Sequence, residues 1–342
     1  MMDVLSLFDG CSMARVAMDR AGIKITNYYA SEIDKYAIKV SQKNYPDIIR
    51  LGDVRNWKDW SLPPIDFLIG GFPCQNYSIA GKRTGIKGDS GFLINYVFEI
   101  LKHYKPKNFL LENVPGILSI NKGETFKYIL NELNSCGYEV NWIAINSALV
   151  SAQNRKRIYL TNLKGINQPE DKHIYLKDIL EHGVTDRDKS YCIDANYFKG
   201  GNLQQYFNKS RRQLVFDAPE RVCSYGKGGQ GQRVYNINGK STALSALGGG
   251  RGAKTGLYAI AQRGLNLIDG KRIDVLGDKT YVLEVGEEKY TVRKLTPLEC
   301  ERLQTLPDDY TNGASNCQRY KMLGNGFTVD VIAHIIKEGR IE

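Results

Sequence analysis

The sequence predicts an α/β fold: a mixed, mostly parallel sheet with helices on both faces, followed by a smaller, basic, loop- and strand-rich domain. Three observations predict it. Apolar runs of strand length alternate with helix-period segments up to about residue 185. Ten glycines then fall between Gly226 and Gly256. Between Ser190 and Arg263 eleven Lys/Arg face only Asp194, Asp217 and Glu220, a local excess of +8 in a chain of net charge +10.

The elements follow in order. "VLSLF" reads as a strand, "DGCSM" as a turn and "ARVAMDRAG" as a helix closed by Gly22. "NYYASEID" is a second strand running into the helix "KYAIKVSQKNYP", and "PIDFLIGG" is another strand. "FLINYVFEILKHY" carries Phe92, Tyr96, Val97 and Ile100 at helical spacing, and "NFLLENV" is again a strand. "ETFKYILNELNSCGY" and "EVNWIAINSALV" repeat the alternation, which "KRIYLTNL" ends. This is a Rossmann-like order, in which ligands bind at the carboxyl ends of the strands. "DGCS", "SEID", "GGFPCQ" and "ENVPG" therefore share one rim. Further on, "KLTPLECERLQTLP" reads as a helix capped by Thr296, and "MLGNGFTVDVIAHIIKEG" turns at Gly324 to Gly326 into a last helix. The expected domains are 1–185, a second domain over 186–292, a linking helical region over 293–319 and a return to the first domain over 320–342.

Composition narrows the class. Hydrophobic residues at 42% and charged residues at 25% suit a folded globular chain. No apolar stretch approaches the roughly 20 residues that cross a bilayer, and "MMDVLSLFDG" lacks a basic n-region, so a cytoplasmic protein with no membrane partner is expected. The seven cysteines are scattered without a C-x-x-C pair, which argues against a disulfide framework and against a metal site. The basic, Gly-rich region suits loops that approach a phosphate backbone; a solvated basic surface is the alternative.

The rim residues carry the chemistry. Gly10 opens the first strand–helix turn, Glu32 ends the second strand and Asp53 follows the third, a set that suits an adenosine-bearing cofactor. Each carboxylate alone also suits a surface or capping role. Cys74 sits at a strand end ahead of polar "QNYSIAGKRTGIKGDSG", where a thiol can be packing, a metal ligand or a nucleophile. Glu112 ends another apolar strand, where a carboxylic acid can be kept protonated and donate. Gln153, Arg155 and Arg157 alternate along what reads as an edge strand, one of them placed to hold a substrate or phosphate.

In this order "LFDG", "SEID", "GDV", "GGFPCQNYS", "LLENVPG", "QNRKRIYL", "RKLTPLECERLQTLP" and "LGNGFTV" resemble the motifs of the cytosine-C5 DNA methyltransferases. The resemblance runs from residue 4 to about 337 and spares the stretch near 161 to 290. It implies that Cys74 attacks C6 of a cytosine, that Glu112 contacts N3 and the exocyclic amine, and that Arg155 positions the base and its phosphate with Arg157 in support. Phe8, Asp9, Gly10, Glu32, Ile33, Asp53, Val54, Phe72, Asn325 and Phe327 fall on positions of a pocket for S-adenosyl-L-methionine, with S-adenosyl-L-homocysteine as product. Gln75 and Ser78 fall on a loop that closes over DNA.

The partner implied is double-stranded DNA, bound by a monomer in a prokaryotic cell or phage-infected host, with a cognate restriction endonuclease as a possible companion. Within the basic region Arg233, Ser241, Thr242 and Arg251 are the candidates for lying near DNA. The chain departs from the family in the cofactor loop, reading Cys11, Ser12 and Met13 where many members have further glycines. Ala80 stands where some members insert a side chain into the vacated base stack, leaving Lys82, Arg83 or the basic domain for that role. The same chemistry on tRNA, or a silent DNA-binding homologue, are the competing readings.

Overall fold

The computed structural model describes residues 1–73, 93–183, 185–200, 206, 209–217, 221–224, 233–236, 257–259, 272–276, 280–285 and 288–339. The chain divides into two compact units. One comprises Met1–Tyr175, Lys189–Lys199 and Pro297–Glu342; the other comprises Leu176–Asp188 and Gly200–Thr296.

In the first unit β1 (Met2–Leu7), β2 (Ile25–Ser31), β3 (Ile49–Gly52), β4 (Phe67–Gly71), β5 (Asn108–Asn113), β6 (Asn141–Asn146) and β7 (Lys156–Thr161) form one sheet. Its order is β3-β2-β1-β4-β5-β7-β6. The pairs from β3 across to β5 are parallel, whereas β7 runs against both β5 and β6. Strand order reverses between β1 and β4, which opens a crevice beyond their carboxyl ends.

The expected edge strand in "QNRKRIYL" is a correction. β7 is hydrogen-bonded on both sides, and β6 is the edge. The chain folds back after Asn146, so β7 inserts between β6 and β5 as the return arm of an antiparallel pair. Its first residues consequently reach the rim where β5 ends. Gln153 and Arg155 precede the strand and do not alternate along it.

Two layers of helices cover the sheet. Helix α1 is Met13–Arg20, α2 Lys35–Asn44, α3 Leu93–Tyr104 and α4 Glu124–Ser135. In α3, Ile94, Val97, Phe98 and Leu101 recur at helical spacing and are buried. They join Phe126, Ile129 and Leu133 of α4 against Leu5, Leu7, Leu68, Phe109, Leu111, Ile158 and Leu160 of the sheet. The alternate residues Val4, Phe67, Ile69 and Leu110 point to the opposite face and are buried there too.

A one-turn helix α5 (Leu176–Ile179) belongs to the second unit; α6 (Pro297–Leu303), α7 (Asn316–Asn325) and α8 (Val329–Glu338) complete the first, with α8 packed on α1. The turn expected at Gly324 to Gly326 starts later, because α7 continues through Asn325. Gly324 answers to packing instead of turning: a Cβ there would lie 2.2 Å from the Asp194 carbonyl carbon and 2.3 Å from the Ala195 nitrogen.

The second unit holds β8 (Leu214–Asp217), β9 (Arg221–Ser224), β10 (Arg233–Asn236), β11 (Leu257–Ala259), β12 (Arg272–Leu276), β13 (Thr280–Val285) and β14 (Glu288–Lys294). They form a three-stranded sheet β11-β10-β9 and a four-stranded antiparallel sheet β12-β13-β14-β8. Among the described residues no helix is long and apolar enough to cross a membrane.

Because the neighbours of Gly324 are backbone atoms that cannot rotate away, Gly324→Ala is expected to destabilise the first unit by about 3 kcal/mol or more, read as a lower urea midpoint.

Candidate active site

A cleft of about 730 Å³ opens along the rim that the switch point creates. Its walls include Phe8, Asp9, Gly10, Glu32, Ile33, Asp53, Val54, Phe72, Asn325 and Phe327 together with Glu112, Arg155 and Arg157. Residues more than 300 positions apart in sequence thus meet in one place.

One half of the cleft is built around the ends of β1, β2 and β3. The Gly10 N–H donates to Glu32 Oε2 at 2.7 Å, and the N–H groups of Ile33 and Asp34 donate to Glu32 Oε1 at 2.8 Å each. Three charge-assisted bonds fix that carboxylate and tie the β1 loop to the exit of β2. Ile33 is left 69% exposed, an apolar side chain at the cleft wall. Asp34 caps α2 by accepting from Tyr36 N–H at 2.9 Å and pairs with Lys321 Nζ at 2.7 Å. Burial opposes ionisation of Asp34, but Lys321 and the helix N–H groups outweigh it and hold its pKa below the ordinary value. Asp53 accepts from Arg55 N–H at 2.9 Å and faces the Arg55 guanidinium, which keeps the carboxyl ionised below its usual range.

The other half is built around β4, β5 and β7. Gly71 pairs with Glu112 in the sheet register, and a Cβ on Gly71 would lie 3.2 Å from the Phe327 ring and 3.5 Å from Glu112 Oε2. Glycine at 71 therefore makes room for both. Glu112 receives Arg157 Nε at 2.9 Å, each side chain 13% exposed. This pair exists because β7 runs antiparallel and delivers Arg157 beside the end of β5. Asn113 is buried and bridges the adjacent chain: its Nδ2 donates to the Phe72 carbonyl at 3.1 Å and its Oδ1 accepts from Val114 N–H at 2.8 Å. That amide pins the exit of β4 two residues before Cys74, a positioning role the sequence reading did not assign. The signal was there, since a buried strand-end amide must find both a donor and an acceptor.

The two arginines divide their work differently from the expectation. Arg155 is 2% exposed, and its Nη1 donates to the Ile193 carbonyl at 3.0 Å and to Cys192 Sγ at 3.5 Å. Its Nη2 donates to the carbonyls of Gly324 at 3.1 Å and Gly326 at 2.8 Å. The fork is thus occupied by the protein's own main chain, and Arg157 is the guanidinium beside Glu112. Burial and the neighbouring Arg157 charge push the Arg155 pKa down, a cost that main-chain acceptors offset. Gln153 is buried as well; its Nε2 donates to the Leu303 carbonyl at 3.3 Å and its Oε1 accepts from Ile193 N–H at 3.0 Å.

Asp9 is a second reassignment. It borders the cleft, but its carboxylate is fully buried among Ser6, Ser12 and Tyr28, and burial raises its pKa. Cys74, Gln75, Ser78, Ala80, Lys82, Arg83, Ser241, Thr242 and Arg251 lie outside the described residues. Arg233 begins β10.

Removing the Arg155 fork would leave the carbonyls of Ile193, Gly324 and Gly326 buried without it. Arg155→Ala is expected to cost about 3 kcal/mol or more in urea unfolding, and Arg155→Lys to recover less than half, since an ammonium lacks the planar fork. Equal stability of Arg155→Ala and wild type would contradict the clamp.

The profile of the family described as C-5 cytosine-specific DNA methylase matches residues 2–340. The chain is 30% identical to the type II methyltransferase M.HhaI of Haemophilus parahaemolyticus, over 97% of this chain and 92% of that protein. It is 32% identical to the type II methyltransferase M.HpaII of Haemophilus parainfluenzae, over 96% and 86%. The orphan methyltransferase M.SPRI of Bacillus phage SPR is 29% identical, over 98% and 96%. Among solved structures, the Entamoeba histolytica methyltransferase EhMeth superposes with a TM-score of 0.62 at 17% identity, covering 99% of this chain and 97% of that one. That likeness speaks to the fold alone. With the family's profile spanning nearly the whole chain, the protein belongs to the C-5 cytosine-specific DNA methylases and is an enzyme of that family.

Proposed function

We propose that the chain transfers a methyl group from S-adenosyl-L-methionine to C5 of a flipped-out cytosine in a specific duplex DNA sequence, through a covalent adduct with Cys74. The observation that carries this reading is the single cleft that joins the Glu112–Arg157 pair to a wall suited to a nucleoside. That wall offers the exposed Ile33 for an adenine face, the carboxylates of Glu32 and Asp53 for hydroxyl and amine donors, and main-chain groups of Phe8 to Gly10 and of Asn325. The donor set fits S-adenosyl-L-methionine, with Val54, Phe72 and Phe327 adding apolar surface. When bound, the cofactor supplies the electrophilic methyl group.

The protein's residues do the rest. A cytosine inside a duplex cannot present C5 and C6, so it must leave the stack to be reached. The Cys74 thiolate adds to C6 and makes C5 nucleophilic. Glu112 engages N3 and the exocyclic amine, so that charge accumulating on the ring is met by a hydrogen-bonded acid. Arg157 holds Glu112 in place, and Arg155 supports the turn behind both. After C5 is alkylated, a base removes the C5 proton and the thiolate leaves.

Gln75, Ser78, Lys82 and Arg83 would contact the DNA around the extruded base. The second unit would read the sequence, with Arg233, Ser241, Thr242 and Arg251 as contacts. Relatives named as type II methyltransferases support a cognate endonuclease, whereas the orphan phage methyltransferase M.SPRI favours a phage-associated enzyme; in either setting the enzyme would act as a cytoplasmic monomer.

The test uses methyl-tritiated S-adenosyl-L-methionine with duplex DNA and tRNA supplied separately. Wild type is expected to label DNA, Cys74→Ser to lose transfer, and Glu112→Gln to slow it by about 10²–10⁴-fold. Label on tRNA alone would overturn the DNA reading. Full activity in Cys74→Ser would remove the nucleophile.

A further inference from the structure

The loop between β1 and α1 is left-handed at three of five residues: Phe8 (φ 56°), Gly10 (φ 60°) and Ser12 (φ 63°). Only one of the three is glycine. L-residues with side chains disfavour this region, so something must hold Ser12 there. Its position does not explain it. Ser12 precedes α1 as the N-cap, yet its hydroxyl accepts no bond from the helix, and its backbone is not the extended form that capping serines adopt.

The hydroxyl goes elsewhere. Ser12 is completely buried, and its Oγ donates to Asp9 Oδ2 and touches Ser41 Oγ of α2. Asp9 Oδ1 accepts from Ser6 Oγ at 2.6 Å and from Tyr28 OH at 2.9 Å, while Arg50 Nη1 lies 3.6 Å from Oδ2. The main chain closes the same knot: Asp9 N–H donates to Ser31 O at 3.0 Å, and Ser12 N–H donates to Asp9 O at 3.1 Å. One buried carboxylate therefore joins β1, β2, β3 and the loop, and Ser12 extends the knot to α2. Across that loop, Phe8 and Gly10 border the cleft, and Gly10 N–H reaches Glu32.

We propose that the side chains of Asp9 and Ser12 form a buried lock that holds the loop in its left-handed path and thereby sets affinity for S-adenosyl-L-methionine and S-adenosyl-L-homocysteine without either side chain touching them. The inference rests on the cofactor reading of the cleft. It makes both residues positioning residues: the carboxylate holds the serine hydroxyl, and the hydroxyl allows a residue with a Cβ where glycine would need no help.

The prediction separates strain from contact. Ser12→Ala keeps the Cβ in the left-handed region and removes the bond, whereas Ser12→Gly removes the bond and the strain together. Binding of S-adenosyl-L-homocysteine to the full chain is measured by titration calorimetry, well below each variant's unfolding midpoint. Ser12→Ala is expected to weaken binding about tenfold, and Ser12→Gly to stay within about threefold of wild type. Asp9→Ala is expected to weaken binding about tenfold in the wild-type background and by less than about threefold in the Ser12→Gly background.

Ser12→Ala binding as tightly as wild type, or Ser12→Gly falling as far as Ser12→Ala, would overturn the lock. The alanine–glycine comparison at 12 decides the matter by itself if Asp9→Ala fails to fold. A wild-type chain that binds no S-adenosyl-L-homocysteine would instead overturn the cofactor reading, and the lock with it.

Discussion

The site depends on the capture of one short stretch of main chain. The carbonyls of Leu323, Gly324 and Gly326 are taken by buried side chains, Gln304 Nε2 at 2.6 Å for the first and Arg155 for the other two. Gln304 is itself oriented by Thr328, whose hydroxyl donates to Gln304 Oε1 at 2.8 Å. These bonds bring the end of α7 onto the sheet, so that Phe327 comes to rest over Gly71 beside Glu112. Buried donors and acceptors left alone are costly, which gives the stretch a single permitted position. The C-terminal segment thereby becomes a wall of a cleft whose floor was laid down at the amino terminus.

Electrostatics then differentiate the two ends of that cleft. At one end Glu112 and Arg157 are paired at 2.9 Å with each side chain 13% exposed, so neither is free to wander. At the other end the acids are satisfied by N–H groups, by Lys321 or by Arg55, close to solvent. An acid in the first setting is suited to chemistry on a ring; acids in the second are suited to recognising hydroxyls and amines. Cys192, within hydrogen-bond reach of both Arg155 and Arg157, adds a polarisable acceptor beside the pair.

Much of this was legible in the sequence because it is local. Strand-length apolar runs, the acids just after β2 and β3 and at the end of β5, and the rim they share follow from periodicity and strand direction. The position of β7 was not legible, since an apolar strand reads the same at an edge as inside a sheet, and hydrogen-bonding neighbours are set by how the chain returns. Nor were the partners of Arg155, which lie 38 and 169 residues away in sequence and are backbone atoms. An arginine near a rim looks like a ligand contact until its acceptors are known. Asp9 is an intermediate case: serines three residues to either side, at 6 and 12, hint at a carboxylate fed by local hydroxyls, but Tyr28 and Arg50 come from other strands. The proposed reading of a DNA sequence by the second unit would depend on side-chain geometry, which one-dimensional pattern does not carry.

The central claim is that Cys74, three residues after the apolar strand "FLIGG" in the sequence, attacks the cytosine, and one measurement addresses it directly. Duplex DNA in which cytosine is replaced by 5-fluorocytosine cannot release the C5 substituent as a proton, so the attacking residue stays bonded to C6 after methyl transfer. Incubation of that DNA with the full chain and S-adenosyl-L-methionine, followed by denaturation, digestion and mass spectrometry, locates the bond. The expected result is a denaturation-resistant complex with the modified base on Cys74. A base attached to any other residue, or methyl transfer to ordinary DNA without a trapped complex on the fluorinated duplex, would contradict the account.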